Sequence, residues 1–348
     1  MKVLIAGSSG LVGTALTRAL AREGHRVVRL VRRGSGAANE GSQVNGRDGD
    51  KRSKVPEPRK SEADISRSVT EVEWNPNTCD LEGEPFGDQQ ETVEGADAVV
   101  NLAGASIAEE TWKAERKALI RSSRVHTTRE LVCALEKLSD APRVFVSASA
   151  IGYYGDRADE VLTEESKAGD DFLSRVCQEW EAEAVKAEAL RMRVVRTRFG
   201  IILAKHGGAL PQMMRPFKFG AGGRIGSGQQ WMSWITLDDV VGVLCHALEN
   251  RAMSGAVNVV SPQPVRNADF AKELGRAMHR PAMLPAPAFA LELVLGEMAE
   301  ALLLSSQRVM PSRLQQLGYR FLHASLPAAL ASILTEHAPA THAATSRH

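Results

Sequence analysis

The chain has 348 residues, 43% hydrophobic and 24% charged, the make-up of a folded globular protein and not of a fibre or a charged tail. Its 43 Lys and Arg stand against 42 Asp and Glu, a net charge of +1, so no global field draws it to nucleic acid or an acidic membrane. Single cores stop growing at roughly 250 to 300 residues, so one large domain with an addition is expected.

In chain order, short β-rich runs alternate with helical patterns. Strands are predicted over Lys2 to Ala6, Arg26 to Leu30, Ala98 to Leu102, Arg143 to Ser147 and Met192 to Arg196. Helices are predicted over Leu11 to Glu23, Glu109 to Leu138 with a break near Arg121, and Asp171 to Ala189. Such alternation implies an α/β fold built on a doubly wound parallel sheet. Residues 34 to 70 interrupt the pattern with polar residues and too few apolar ones to offset their ordering entropy, and read as a disordered insertion. Its basic stretch from Lys51 to Lys60 reads as a solvated loop, acids being interspersed among the Lys and Arg of the insertion. Further on, Ser233 to Val240 reads as a strand entering a helix capped by Asp238 or Asp239. Met283 to Leu304 reads as an amphipathic helix, its three glutamates excluding a membrane span, and the chain from His337 onward as a frayed tail.

The strongest chemical signal is Gly7-Ser8-Ser9-Gly10-Leu11-Val12-Gly13, between the first strand and the first helix. Glycines there allow a tight turn and let backbone N–H groups and the helix N-terminus approach a pyrophosphate, so dinucleotide binding is expected. The second strand runs into Val31-Arg32-Arg33-Gly34 with no acid to hold a ribose 2′-hydroxyl. Arg32 and Arg33 would pair with a 2′-phosphate, which favours NADP(H) over NAD(H), against the alternative of two solvated arginines at a loop mouth. The cysteines, Cys79, Cys133, Cys177 and Cys245, show no metal-ligand spacing and read as idle thiols in a reducing compartment. His337, His342 and His348 are irregularly spaced, so no metal is assigned. Nothing at Met1-Lys2-Val3-Leu4 resembles a signal peptide, which makes the cytosol the expected location.

The glycine loop, the strand end Asn101-Leu102-Ala103-Gly104 and the run Val146-Ser147-Ala148-Ser149-Ala150 together resemble the extended short-chain dehydrogenase/reductase superfamily, in its NAD(P)-dependent epimerase/dehydratase group. More narrowly, Ser149 to Asp156, Gly207 to Phe217 and Gly222 to Ile235 resemble the sugar-epimerase-like "epimerase family" proteins. The resemblance implies a Rossmann-type domain over residues 1–245, with Leu102, Ala103 and Gly104 joining the glycine loop at the cofactor. Pro285 to Met298 with Ser306 to Tyr319 resembles the small C-terminal domain of unknown function in these proteins, expected over 280–330 and followed by the tail, 337–348.

That resemblance also implies a catalytic set: a serine at Ser149 that binds the substrate oxygen, and a Tyr with a Lys four residues on that exchanges the proton. The Tyr-x-x-x-Lys pair is not found; its places on the helix from Phe172 fall to Leu173 and Cys177, which can neither hold that proton nor supply a fixed charge. Tyr153 and Tyr154 are the available substitutes, Tyr153 with Arg157 at its fourth position, and a packing role for both stays open. Trp231 and Trp234, after the glycine-rich run from Phe219 to Gly228, are the candidate substrate walls, or else core residues. Family members usually carry His where Thr236 stands.

The sequence therefore predicts an NADP(H)-dependent oxidoreductase or epimerase-like enzyme acting on an unidentified carbonyl or alcohol substrate, with a non-catalytic NADP(H)-binding sensor or regulatory protein as the rival. No nucleic-acid or membrane partner is expected, and the oligomeric state is open, a homodimer included.

Overall fold

The computed structural model describes residues 1–32, 67–75 and 85–335, and most of the expected insertion and the tail lie outside them. In chain order the first strands are β1 (Lys2–Ala6), β2 (Arg26–Arg32), β3 (Val69–Trp74), β4 (Ala98–Asn101), β5 (Val144–Ala150) and β6 (Val161–Leu162). They are followed by β7 (Arg193–Phe199), β8 (Ile201–Leu203), β9 (Trp231–Met232), β10 (Trp234–Thr236), β11 (Gly255–Val259), β12 (Val265–Arg266) and β13 (Arg308–Val309). Seven of them make one sheet in the order β11-β7-β5-β4-β1-β2-β3, with β1 parallel to both β2 and β4. This is the doubly wound α/β sheet that the alternation of strands and helices implies. Strand order reverses between β1 and β4, so the crevice beyond their carboxyl ends is where such a sheet receives a ligand.

The chain divides into two compact units, one of Met1–Tyr153, Ala168–Arg198 and Val241–Val257, the other of Tyr154–Lys167, Phe199–Val240 and Asn258–His348. The first holds the sheet. Its core joins Leu4, Val28, Val72, Val99 and Phe145 to Leu131 and Leu135 of the helix Ala114–Glu136. That helix is continuous where a break near Arg121 was expected. It contains neither Pro nor Gly, the usual causes of a sharp kink. β3 is an element that sequence reasoning missed: it begins at Val69, inside the expected insertion, and buries Val72 and Trp74 beside β2.

The second unit packs Leu203, Phe217 and Trp234 against Phe270 and Leu274 of the helix Asn267–Ala277 and Leu330 and Ile333 of the helix Leu326–Thr335. Two-stranded pairings β8–β10, β9–β12 and β6–β13 complete it. The expected helix from Met283 to Leu304 is broken at Gly296, whose φ of 57° starts a new turn after the helix Ala288–Leu295. That helix buries none of its residues, so it is not the amphipathic packing element expected. The helix Leu237–Glu249 is capped by Thr236, not by Asp238 or Asp239: the Thr236 hydroxyl accepts from the Asp239 N–H at 3.1 Å and donates to its carboxylate at 2.9 Å. Among the described residues Cys177 and Cys245 are free thiols, and Cys79 lies outside them. Among the described residues no helix is long and apolar enough to cross a membrane.

Candidate functional site

Each glycine of the loop after β1 has a different physical reason. Gly7 has a φ of 76°, and a Cβ there would lie 2.5 Å from the Leu102 carbonyl carbon, so the loop is pressed against the chain leaving β4. A Cβ on Gly13 would meet the Gly7 oxygen at 2.3 Å, which fixes how closely the helix Leu11–Arg22 sits on its own loop. Gly10 is otherwise: an added Cβ would meet only the Gly7 oxygen, at an ordinary 3.5 Å. Its bareness serves no internal packing and leaves room for a ligand. Gly10 is the N-cap of that helix, with no side-chain cap and no acid in the first turn, so the positive end of the helix dipole is left uncompensated. The residues present therefore fit a bound pyrophosphate.

Around this loop, Ser8 is buried and its hydroxyl accepts from Arg29 Nε at 3.2 Å, while Ser9 and Gly10 are exposed. Arg29, a β2 residue that also pairs with Glu71, was not picked out by the motif. Leu102 and Ala103 adjoin the loop, Asn101 being tied to Thr128 at 2.8 Å and to the Ala103 N–H at 3.2 Å. Gly104 faces Arg124, whose carbon atoms a Cβ would meet at 3.2 Å. Arg32 ends β2, and Arg33 lies outside the described residues.

At the end of β5, Ser149 is buried and donates its hydroxyl to Glu181 Oε1 at 2.7 Å. Glu181 is held by Arg198 through both oxygens, at 2.7 and 2.9 Å, and by Arg196 at 3.1 Å. The Arg198 guanidinium in turn lies 3.5 Å from the centre of the Tyr153 ring. One chain of contacts thus joins Ser149 and Tyr153 through residues that no motif named. Part of their signal was present: Arg196 and Arg198 are two apart on β7, hence on one face, and Glu181 stands one helical turn after Cys177. Arg157, the cation expected near Tyr153, is instead ion-paired with Glu160 at 2.6 Å.

Leu173 and Cys177 occupy the helix face beside Gly152, where a Cβ would meet the Leu173 Cβ at 3.3 Å and the Cys177 sulfur at 4.0 Å. Burial, with the nearby Glu181 charge, pushes the Cys177 thiol up to about 12, so it is a neutral packing group.

In the other unit, Tyr154 is fully buried and donates to Asn258 Oδ1 at 2.6 Å. Trp234 is also fully buried, its indole donating to the Gln263 carbonyl at 3.0 Å. These two expected site residues are core members whose polar atoms are satisfied internally. Trp231 is half-buried and donates to Asp159 at 2.9 Å.

The model of the NAD dependent epimerase/dehydratase family matches residues 3–260, and a domain of unknown function matches residues 286–333. The chain is 36% identical over 333 residues to an epimerase family protein of Mycobacterium leprae, covering 96% of this chain and 95% of that one. It is 36% identical to the epimerase family protein YfhF of Bacillus subtilis, covering 97% and 99%. The crystal structure of the human epimerase family protein SDR39U1 with NADPH superposes with a TM-score of 0.75 at 31% identity, covering 96% of this chain and 99% of that one. With its glycine cradle, sheet order and full-length relatives, the chain belongs to the NAD dependent epimerase/dehydratase family.

Proposed function

We propose that this protein binds NADP(H) and moves a hydride between the nicotinamide and a carbon bearing an alcohol or carbonyl oxygen. The observation that carries the cofactor reading is Gly10, bare without internal need at an uncompensated helix N-terminus. The arginines at 32 and 33 and the NADPH held by the human relative support the phosphorylated dinucleotide. The cofactor, when bound, supplies or accepts the hydride; the chain's own residues have to orient the substrate oxygen and handle its proton.

Ser149 has a defined polarity for that task. Its hydroxyl donates to Glu181 Oε1, which leaves its lone pairs to receive a hydrogen bond from a substrate alcohol. Tyr153 is the proton-exchanging group in this reading, with the fixed charge of Arg198 against its ring in place of the missing lysine. Tyr153→Phe is expected to lower turnover on a panel of alcohols and carbonyls by at least ~100-fold with NADP(H) affinity unchanged. Calorimetric titration should give tighter binding of NADPH than NADH, with the preference lost on replacing Arg32 and Arg33 by Ala. Tight NADPH binding with no turnover on any panel member would instead support the sensor reading. One observation favours that rival: Leu173 and Cys177 fill the place of the proton-handling pair with apolar and neutral groups.

A further inference from the structure

In the unit that contains β9 and β13, two guanidiniums lie against the Trp231 ring. Arg266 is 4.1 Å and Arg308 is 4.5 Å from its ring centre. The carboxylate at this spot is Asp159, which accepts from the Trp231 indole at 2.9 Å and pairs with Arg266 at 2.7 Å. Arg266 also donates to the Gln229 carbonyl, so both of its terminal nitrogens have acceptors. The hydrogen bond from Trp231, then those from Arg266, hold the Asp159 carboxyl below the usual range, and the charge of Arg308 adds to the effect. One carboxylate therefore serves two fixed cations.

Arg308 is the under-served cation. Stacking on an indole satisfies the face of a guanidinium but none of its in-plane N–H donors. Its Nε is buried and has no hydrogen-bond partner among the described residues. The neighbouring Ser306 hydroxyl is engaged elsewhere: it receives the Trp231 backbone N–H and donates to the Ala158 carbonyl. A positive, planar fork on an aromatic plate, short of acceptors, is what recognises an oxyanion.

We propose that Arg308 and Trp231 form a seat for an oxyanion group of a ligand, a phosphate or a carboxylate, with Asp159 as the resident counter-charge that the ligand displaces electrostatically. This goes beyond Trp231 as an apolar wall, and it does not depend on hydride transfer.

The test is calorimetric titration of the full-length protein with inorganic pyrophosphate and, separately, with malonate, in the presence of saturating NADP⁺ so that the glycine loop is filled. Saturable binding is expected for at least one of the two, and which one identifies the ligand group. Arg308→Gln should weaken it tenfold or more and Arg308→Lys by less, since a point charge keeps the attraction and loses the fork. Asp159→Asn, a change at an exposed side chain, should tighten it several-fold by removing the competing charge. NADP⁺ affinity, titrated beside these, should not change in any variant. Absence of binding by both anions, or equal binding by wild type, Arg308→Gln and Arg308→Lys, overturns the proposal. If the Arg308 variants lose the cooperative thermal transition, unchanged affinity in Asp159→Asn overturns it. A failure of NADP⁺ to bind is seen separately and counts against the dinucleotide reading alone.

Discussion

Glu181 and Arg198, both almost fully buried, form an ion pair inside the first unit. Two buried charges gain little over apolar residues of the same size, but removing one leaves the other stranded. Glu181→Ala should therefore destabilise the fold by about 3 kcal/mol or more, read from urea unfolding, because both Arg198 and Arg196 lose their acceptor. Arg196→Ala should cost far less, since that side chain is partly exposed and its loss still leaves the bidentate pair. The same residues fix the Ser149 hydroxyl on Glu181 and place a guanidinium on the Tyr153 ring.

At the level of elements, the glycine loop separates packing from binding. Gly13→Ala drives a Cβ to 2.3 Å from the Gly7 oxygen and should cost about 1–3 kcal/mol of stability as well as cofactor affinity. Gly10→Ala meets only ordinary contact and should cost less than about 1 kcal/mol, the difference between Gly and Ala as N-caps, yet still weaken dinucleotide binding. Equal loss of stability in the two variants, by thermal denaturation, would contradict this division. The helix that Thr236 caps carries a second device. Asp239 is fully buried and accepts from the backbone N–H groups of Leu322 at 2.7 Å and His323 at 3.1 Å, while Tyr319 donates to its carbonyl. Asp239→Ala should free that return of chain, seen as faster proteolysis between residues 318 and 326 with little change in helix content.

For the whole molecule, the Cys177 thiol couples stability to alkaline pH. It stays protonated in the fold up to about 12, whereas in the unfolded chain it ionises at the ordinary value near 8.5. Its folded pKa is raised, so its contribution is complete below the unfolded value and is lost as pH rises from there toward 12. The loss approaches about 1.4 kcal/mol per pH unit. Unfolding titrations between pH 8 and 10.5 should show this extra downward slope in wild type and its absence in Cys177→Ala. The same burial predicts a thiol that reagents reach only after unfolding.

The glycine loop, the parallel alternation and the serine at the end of β5 are local features, fixed by spacing within a few residues, and they were legible from the chain alone. β3 was not, because a six-residue strand inside a polar stretch earns its place only by pairing with β2. Tyr154 and Trp234 looked like site residues because aromatics near a motif suit a pocket and a core equally well; their burial and partners, Asn258 and Gln263, are 104 and 29 positions away. Arg198 and Glu181 come from a strand and a helix whose facing sides no one-dimensional pattern relates. The sequence by itself determined the family, the sheet and the glycine loop, since those depend on backbone conformation and short-range spacing. Only the tertiary structure decided which polar side chains are paired and which, like the Arg308 Nε, lack a hydrogen-bond partner among the described residues, because pairing is settled by contacts between distant segments.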